Sequence, residues 1–371
     1  MKKILVTTGI FPPDIGGPAT FIPKFSNFLT NHRFQVEVIT LSDQLDTGEL
    51  GYSFNVTRIR RKAFRWKRLV STTILIWKRT RTADFVFCNG LYLETAIALA
   101  LNSKTIRSLV KIVGDPVWER EQNRKTSNAT KSFKMFILRL LQTNSLERRL
   151  ITWSLRQFSR VTAPGKELAK TVESWDKSIQ VEVIHNGVLA RNIDREVEKK
   201  FDLVTVARLV PWKNIDIIIE IANQLDCKLA IIGDGPQRKS LESKASQNNK
   251  IVFLGSLTPI EAEEIMNKSK VFCQLSDYEG LSFSLLQAMS RGLPCVISGI
   301  PANKDVFDSD MEAGIFVDIN DKPEIAKVIS GLLKSQDRSR ELGMRSHQIV
   351  KEHFDETRQM EKMMKLLIYG N

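Results

Sequence analysis

The segment from Ser276 to Met289 has residue types that could bind a ligand carrying hydroxyls beside phosphates. The apolar run Lys270–Leu275 predicts a strand, and a helix pattern begins near Ser282. Glu279 and several backbone N–H groups are therefore expected at the carboxyl end of a parallel sheet. A carboxylate accepts hydrogen bonds from hydroxyls, and the start of a helix attracts an anion. The alternative is an ordinary loop between a strand and a helix.

Two cations follow another predicted strand, Leu203–Ala207. Arg208 can hold a diphosphate with its guanidinium fork, and Lys213 can meet the same group as a point charge. Two such cations would stabilise a leaving nucleoside diphosphate without a metal ion. The alternative is that both side chains are solvated surface charges.

The first half of the chain offers further candidates at strand ends. Gly16 and Gly17 follow the first strand and precede a helix, so backbone there could approach a phosphate closely. The G-x-G-x-x-G fingerprint is absent, and a flexible loop is the alternative. Asp115 closes a later strand, where it could bind sugar hydroxyls, orient an acceptor or stabilise a turn. We predict that Asp115 and Trp118 bind the acceptor.

Positive charge is concentrated in the first half of the chain. Residues 1–185 carry 30 Lys and Arg against 15 Asp and Glu, whereas residues 186–371 carry 25 against 27. The stretches Arg58–Arg68 and Lys131–Phe158 mix cations with aromatic or aliphatic side chains. Both patterns fit contact with an anionic membrane or with a nucleic acid. The alternative is that the apolar side chains belong to the core and the charges are solvated.

Length and composition limit the class of protein. A chain of 371 residues predicts two domains. Since no apolar run approaches ~18 residues, no membrane-spanning helix is predicted, and the short first run is better explained by a strand than by a secretion signal. The four histidines form no cluster, and no cysteines form a C-x-x-C pair, so we expect neither a metal site nor disulfides and infer a reducing cytoplasm. The cysteines are Cys88, Cys227, Cys273 and Cys295.

Short apolar runs alternate with helix-length amphipathic stretches through most of the chain, which predicts right-handed βαβ units and parallel strands buried on both faces. We expect an α/β fold with two doubly wound sheets, residues 1–185 and 186–350, and a ligand cleft between them. The predicted strands are Ile4–Gly9, Gln35–Leu41, Asp84–Cys88, Thr105–Val113, Arg160–Ala163, Leu203–Ala207, Lys228–Ile232, Ile251–Leu254, Lys270–Leu275, Cys295–Ser298 and Gly314–Val317.

In their order and spacing, these motifs resemble the family 4 retaining glycosyltransferases of the GT-B fold. The resemblance covers most of the chain and rests on four segments: the loop Phe11–Gly17, Arg208 with Lys213, the turn Ile232–Pro236, and Glu279–Val296. It implies two facing Rossmann-like domains, with a C-terminal helix at about 351–371 that packs back on the first domain.

The resemblance also implies transfer of a sugar from a nucleotide sugar, with retained anomeric configuration and without a metal ion. Glu279 would contact the donor sugar, while Arg208 and Lys213 would neutralise the diphosphate. The remaining donor-binding positions would be Gly16, Gly17, Leu257 near the base, Gly280, Leu281, Ser282 and Gln287.

Two positions depart from the family pattern. The family's second glutamate, which holds ribose hydroxyls, is Gln287 here; its amide carbonyl accepts a hydrogen bond without carrying charge, so we predict weaker or altered nucleotide binding. Many members have a histidine where this chain has Gly114 and Asp115, which leaves the donor sugar open.

We therefore predict a hexosyltransferase of cell-surface polysaccharide or lipopolysaccharide synthesis that uses a UDP- or GDP-sugar and no cofactor. Its acceptor would be lipid-linked or a glycan, its location the inner face of the cytoplasmic membrane, and it would not bind nucleic acid. The alternatives are a sugar-nucleotide epimerase of similar fold and a non-catalytic binding protein. Nucleic-acid binding would rest on charge alone.

Overall fold

A computed structural model describes residues 1–14, 16–44, 51–115, 146–190, 192–193 and 197–370. The chain divides into two compact units. The first comprises residues 1–185 together with 359–371, and the second comprises residues 186–358. Among the described residues, no helix is both long enough and apolar enough to cross a bilayer.

The first unit is a parallel sheet with the strand order β3-β2-β1-β4-β5-β6-β7. Its strands are β1 (Lys3–Thr8), β2 (Gln35–Ser42), β3 (Asn55–Arg60), β4 (Phe85–Asn89), β5 (Arg107–Lys111), β6 (Arg160–Ala163) and β7 (Val181–Val183). Its helices are α1 (Gly17–Asn31), α2 (Arg65–Thr80), α3 (Tyr92–Ala100), α4 (Leu146–Arg156) and α5 (Lys166–Trp175). Every residue of β4 is buried, as expected for a parallel strand covered on both faces.

The second unit is also a parallel sheet, with the order β10-β9-β8-β11-β12-β13. Its strands are β8 (Phe201–Val206), β9 (Leu229–Ile232), β10 (Ile251–Gly255), β11 (Ser269–Gln274), β12 (Cys295–Ser298) and β13 (Ile315–Val317). Its helices are α6 (Ile215–Gln224), α7 (Arg238–Ala245), α8 (Pro259–Asn267), α9 (Phe283–Ser290), α10 (Pro301–Val306), α11 (Lys322–Lys334) and α12 (Gln336–His353).

Alternate residues of the strands in the second sheet enter two separate hydrophobic clusters. In β8, Leu203 packs with Ile218 of α6, whereas Val204 packs in the cluster that contains Leu285 of α9. Because successive side chains of a strand point to opposite faces, each cluster covers one face of the sheet. Burial on both faces holds β8 and its neighbour β11 at the centre of the unit.

A last helix, α13 (Glu356–Tyr369), contributes its residues from Gln359 onward to the first unit. Met363, Leu366 and Leu367 on this helix are buried. Arg107 donates a hydrogen bond to the carbonyl of Ile368, and Arg160 donates to the carbonyl of Gly370 over 2.9 Å. These arginines begin β5 and β6, so the sheet binds the carbonyls that the end of a helix leaves without a partner.

The prediction of two doubly wound parallel α/β sheets is confirmed. Two strands, β3 and the three-residue β7, were not predicted. The basic stretch Arg58–Arg68 is not one element, because it spans the end of β3, a turn and the first residues of α2. Of the second basic stretch, only residues 146–158 lie in the described part, and most of them form α4.

Candidate active site

The candidate residues of the second unit lie at the point in its sheet where the strand order reverses. Strand β8 pairs with β9 on one side and with β11 on the other. The connection from β8 therefore runs toward one edge of the sheet, and the connection from β11 runs toward the other. In open α/β sheets, the carboxyl ends of two such strands form the usual place for a ligand. The loops that leave these ends are residues 207–214 and 275–282.

The loop after β8 presents Lys213 from a short 3-10 helix, Pro211–Lys213. The buried Trp212 anchors this helix, and Asn214 ends it in the left-handed conformation, with φ of 49°. The side-chain amide of Asn214 donates to the carbonyl of Leu275 over 2.8 Å, which ties the loop to the end of β11. These contacts fix the point from which the lysine extends.

Lys213 and Glu279 form an ion pair between the two loops. Only 16% of the lysine side chain and 10% of the glutamate side chain are exposed. Ser276 donates its hydroxyl to the same carboxylate oxygen, Oε1, over 2.7 Å. The carboxylate is thus oriented by two donors, and the other oxygen, Oε2, remains as an acceptor for a ligand hydroxyl.

Asp277 forms a third link between the loops. Its backbone N–H donates to the carbonyl of Trp212 over 2.8 Å. Burial of its side chain raises the pKa of Asp277, while a hydrogen bond from Asn214 acts in the opposite direction. The loops after β8 and β11 are therefore joined by several hydrogen bonds and an ion pair, so Lys213 and Glu279 are held before any ligand binds.

Helix α9 begins directly beside this pair. Ser282 is its N-cap and accepts from the N–H of Leu285 over 3.2 Å, while its own hydroxyl donates to Oε1 of Gln274 over 2.7 Å. The side chain of Asn186 donates to the carbonyl of Leu281 over 3.0 Å. Gly280, Leu281 and Ser282 are all buried, so the turn before the helix has a defined backbone whose helix-start N–H groups favour an anion.

Arg208 lies on the same loop as Lys213 but differs from it in exposure and pairing. Its side chain is exposed, and it makes no ion pair with the described residues of its unit. The turn after β9 supports its backbone: the N–H of Leu209 donates to the carbonyl of Asp234 over 2.9 Å. The backbone next to Arg208 is thus held by a hydrogen bond, while its guanidinium is exposed and accessible to an anion.

The turn after β9 needs glycine for close packing against this loop. Gly233 has φ of +129°, and a Cβ atom at this position would lie 1.9 Å from the carbonyl oxygen of Ala207. Asp234 accepts from the N–H of Gly235 over 2.7 Å and from Arg238 over 3.0 Å. The turn therefore shapes the loop that carries Arg208, and its carboxylate serves the turn itself.

Two other residues that were predicted to bind the nucleotide-sugar donor lie elsewhere in the second unit. Gln287 is inside α9, and its side-chain amide donates to Glu263 of α8 over 3.4 Å; the same carboxylate is paired with Arg291. Leu257 follows β10 and packs, partly buried, on the cluster that includes Leu281. No hydrogen bond between the described residues joins the Gln287 side chain to the Lys213–Glu279 pair.

The first unit holds the remaining predicted residues. Gly16 precedes α1 as its N-cap, and Gly17 is the first residue of that helix. Asp115 is fully buried, and its carboxylate pairs with Arg148 over 3.3 Å. Arg148 in turn stacks 4.0 Å from the ring centre of Trp175, so the carboxylate takes part in the core of the unit. Trp118 lies outside the described residues.

Sequence reasoning missed the residues that hold the loops in place, namely Asn214, Ser276 and Asp277. Local signals for them exist, since Asn214 follows the candidate lysine and Ser276 precedes the candidate glutamate by three positions. Among the described residues, no group of three His, Cys, Asp or Glu side chains is arranged to hold a metal ion. The arrangement as described can bind hydroxyls with a carboxylate and phosphates with two cations.

Residues 189–348 match the family model "Glycosyl transferases group 1". The N-acetyl-alpha-D-glucosaminyl L-malate synthase of Bacillus anthracis is 27% identical over 55% of this chain and 58% of its own length. The UDP-Gal:alpha-D-GlcNAc-diphosphoundecaprenol alpha-1,3-galactosyltransferase of Escherichia coli is 28% identical over 42% of this chain and 41% of its own. The chain thus spans less than two thirds of the length of either relative.

A solved structure agrees over nearly the whole chain. Anabaena HepE in complex with UDP and glucose superposes with a TM-score of 0.77 and 15% identity, covering 99% of each chain. This likeness concerns the fold, in agreement with the two parallel sheets described above. The chain therefore has the GT-B fold, and its match to the family model of the group 1 glycosyltransferases lies within the second unit.

Proposed function

We propose that this protein transfers a hexose from a nucleotide sugar to a lipid-linked or polysaccharide acceptor, with retention of the anomeric configuration. The observation that carries the proposal is the Lys213–Glu279 pair, which lies where the strand order of the second sheet reverses. Arg208 is exposed on the loop that carries Lys213. A carboxylate beside two cations matches a ligand in which sugar hydroxyls adjoin a diphosphate.

In the proposed reaction, the acceptor hydroxyl attacks the anomeric carbon on the side from which the diphosphate leaves. A bond forms between the acceptor oxygen and that carbon, and the bond from the carbon to the diphosphate oxygen breaks. The hydroxyl proton passes to a phosphate oxygen of the leaving group. Glu279 would orient the sugar, while Arg208 and Lys213 would stabilise the charge that develops on the diphosphate.

The proposal includes a UDP- or GDP-sugar as donor and neither cofactor nor metal ion. Its support is that two side-chain cations can supply the charge that a divalent ion would otherwise provide. Activity that is unchanged by a chelator would agree with this part of the proposal, and activity restored only by added Mg²⁺ or Mn²⁺ would contradict it.

The acceptor class and the cellular site belong to the same proposal. The name of the E. coli relative gives its acceptor as a diphosphoundecaprenol-linked sugar. An enzyme with such an acceptor must work at a bilayer surface, which leads us to propose peripheral attachment to the inner face of the cytoplasmic membrane in cell-surface glycan synthesis. Acceptor binding by Asp115 and Trp118 stays a prediction, and the burial of Asp115 favours an indirect role.

The experiment first ranks UDP-, GDP- and ADP-sugars by the thermal stabilisation that each produces, because a ligand of the native state raises its melting temperature. Transfer is then measured for Arg208→Ala, Lys213→Ala and Glu279→Ala, with Lys322→Ala as a matched control from an exposed ion pair. We expect each site variant to lose about 10²-fold or more in kcat and the control to keep it. Site variants with near wild-type turnover would reject the site assignment.

Arg208→Ala separates chemistry from folding because its side chain is exposed and unpaired within the described part of its unit. We expect an unchanged melting temperature together with the loss of turnover. Arg208→Lys should recover part of the rate, since it restores the charge without the fork.

The same transfer assays distinguish the two alternative functions, a sugar-nucleotide epimerase and a non-catalytic binding protein. A change in the sugar of the donor in the absence of any acceptor, followed by NMR, would indicate an epimerase. Binding of a donor without release of nucleotide under any condition would indicate a non-catalytic protein. The anomeric configuration of the product, read from its coupling constants, decides between retention and inversion.

A further inference from the structure

Helix α2 of the first unit carries an apolar stripe that faces solvent. Trp66, Val70 and Ile74 are 69%, 55% and 46% exposed, and Phe64, which precedes the helix, is 69% exposed. Residues four apart lie on one face of a helix, so the three form a continuous stripe. The opposite side of the helix holds Ile76, which is fully buried. The exposed stripe is therefore separate from the face of α2 that packs on the core.

The sequence around this stripe is basic and contains no acidic residue. Residues 58–82 contain ten Lys and Arg and no Asp or Glu. Within the described part of the chain, two of these cations pair with acids of other segments: Arg61 with Asp14 and Arg79 with Glu37.

Four further cations remain available on this surface. They are exposed and make no ion pair with the described residues of the unit: Arg60, Lys62, Lys67 and Lys78. Lys67 follows Trp66 directly and Lys78 lies one turn beyond Ile74, so both border the apolar stripe. An apolar stripe edged by cations is the pattern of a helix that lies in the surface of an anionic membrane.

Two other partners fit this surface less well. A nucleic-acid backbone offers phosphates to the lysines but nothing apolar to the aliphatic side chains of Val70 and Ile74. A second copy of the chain would bring the same uncompensated cations against each other in a two-fold interface, which is repulsive. An anionic bilayer satisfies both halves of the pattern, because headgroups meet the lysines and the acyl boundary meets the stripe.

We propose that Phe64, Trp66, Val70 and Ile74 insert into the interfacial region of an anionic phospholipid bilayer, with Lys62, Lys67 and Lys78 at the headgroups. The surface would give the enzyme proposed above its membrane contact, and the inference rests on that function only for its biological purpose. Its physical content, lipid binding by one helix, can be measured without donor or acceptor.

The first experiment is co-sedimentation with vesicles of phosphatidylcholine alone and of phosphatidylcholine mixed with phosphatidylglycerol. We expect binding to the mixed vesicles only. Replacement of Trp66, Val70 and Ile74 by Ala should weaken it by about tenfold or more. Replacement of Lys62, Lys67 and Lys78 by Gln should weaken it by about fivefold per lysine and reduce its salt dependence. The matched control is the replacement of three exposed apolar residues of the second unit, Ile260, Met311 and Met344, by Ala.

A second readout locates the contact. Because the four native cysteines are buried, a cysteine introduced as Ile74→Cys can be labelled selectively with an environment-sensitive dye. The dye at this position should shift to the blue on addition of mixed vesicles, and a dye at Ile260→Cys should not.

Equal binding by the wild type and the Trp66, Val70 and Ile74 variant would overturn the inference. So would a blue shift at both labelled positions, no binding of the wild type to anionic vesicles, or stronger salt-sensitive binding to DNA or RNA. Donor-induced thermal stabilisation keeps the two proposals apart. Lost vesicle binding with intact donor binding concerns only α2, and intact vesicle binding without any transfer concerns only the proposed enzyme.

Discussion

Lys213 and Glu279, 66 positions apart in the chain, form a largely buried ion pair between the loops that follow two adjacent strands, β8 and β11. The pair brings together a cation and a carboxylate that the proposed reaction uses for different groups of one substrate. It also fixes the two loops relative to each other before the substrate binds. The same contact therefore serves both stability and binding, and these two roles can be separated by mutation.

Removal of one member of this pair should destabilise the protein more than removal of both. Lys213→Met leaves the Glu279 carboxylate mostly buried, with the hydroxyl of Ser276 as the donor that remains among the described residues, which we expect to cost about 3 kcal/mol. The double variant Lys213→Met with Glu279→Gln should recover part of this loss, with a coupling energy of about 1–3 kcal/mol. Urea unfolding of the four proteins of the double-mutant cycle measures the coupling.

The exposed pair Lys322–Glu220 provides the control cycle, and there we expect no measurable coupling. Strictly additive effects at Lys213 and Glu279 would contradict the role of the pair as a link between the loops.

Gly233→Ala should damage both the fold and donor binding. The added Cβ would lie 1.9 Å from the carbonyl oxygen of Ala207, at a φ that side chains rarely adopt. We expect a loss of about 2 kcal/mol or more in the free energy of unfolding. The loop with Arg208 should shift as well, so the thermal stabilisation by the donor should fall.

Gly331→Ala is the matched control for this change. Gly331 lies inside α11, and a Cβ atom there would have no neighbour within 4 Å. We expect a gain of about 0.5–1 kcal/mol, since alanine favours a helix and restricts the unfolded chain. A harmless Gly233→Ala would show that the turn can move away from Ala207.

Asp277 should make the stability of the second unit depend on pH. Because burial raises the pKa of Asp277, its native state binds the proton more tightly than the unfolded chain does. Ionisation therefore disfavours the native state at neutral pH, and this cost disappears as the pH falls below the native pKa.

Asp277→Asn removes the charge and keeps the backbone hydrogen bond to Trp212. We expect the variant to be more stable than the wild type at neutral pH and the difference to shrink in acid. Denaturation at a series of pH values tests this. A difference that is independent of pH would show that the carboxyl does not titrate with an altered pKa.

Gln287→Glu should not strengthen nucleotide binding by itself. The amide of Gln287 donates to Glu263, so a glutamate at 287 would place a second carboxylate beside that of Glu263, whose other oxygen is paired with Arg291. We expect a loss of about 1 kcal/mol in stability from like-charge repulsion. Adding Glu263→Gln should restore it.

Both expectations, the lower stability and the unimproved nucleotide binding, are tested by the melting temperatures and UDP affinities of Gln287→Glu, Glu263→Gln and the double variant. Tighter UDP binding by Gln287→Glu alone would show that the neighbouring Glu263 has no influence on the site.

Local patterns predicted the elements that carry the candidate site. The run Lys270–Leu275 was expected as a strand and β11 covers Ser269–Gln274, while the helix expected near Ser282 has this residue as its N-cap. Both signals lie within a few residues, namely continuous apolar side chains and a serine that can cap. Strand β3 was missed because Asn55–Arg60 has only two aliphatic residues, Val56 and Ile59, which do not alternate with polar ones; it lies at the edge of the sheet, where only partial burial is required.

The contacts that shape the site could not be predicted because they join distant segments. The hydrogen bond from Asn214 to Leu275 spans 61 positions, and the one from Asn186 to Leu281 spans 95. No local pattern distinguishes these asparagines from others on a surface. The burial of Asp115 has the same origin, because its partner Arg148 lies on a helix 33 positions away.

The attachment of α13 through Arg107 and Arg160 has a consequence for the order of assembly. The first unit combines residues 1–185 with residues 359–371, whereas the second unit, residues 186–358, lies between these two segments. A growing polypeptide on the ribosome thus possesses the complete second unit while the first still lacks its closing helix. Deletion of residues 359–370 would accordingly remove the two carbonyls that Arg107 of β5 and Arg160 of β6 bind, and these arginines lie 261 and 210 positions earlier in the chain.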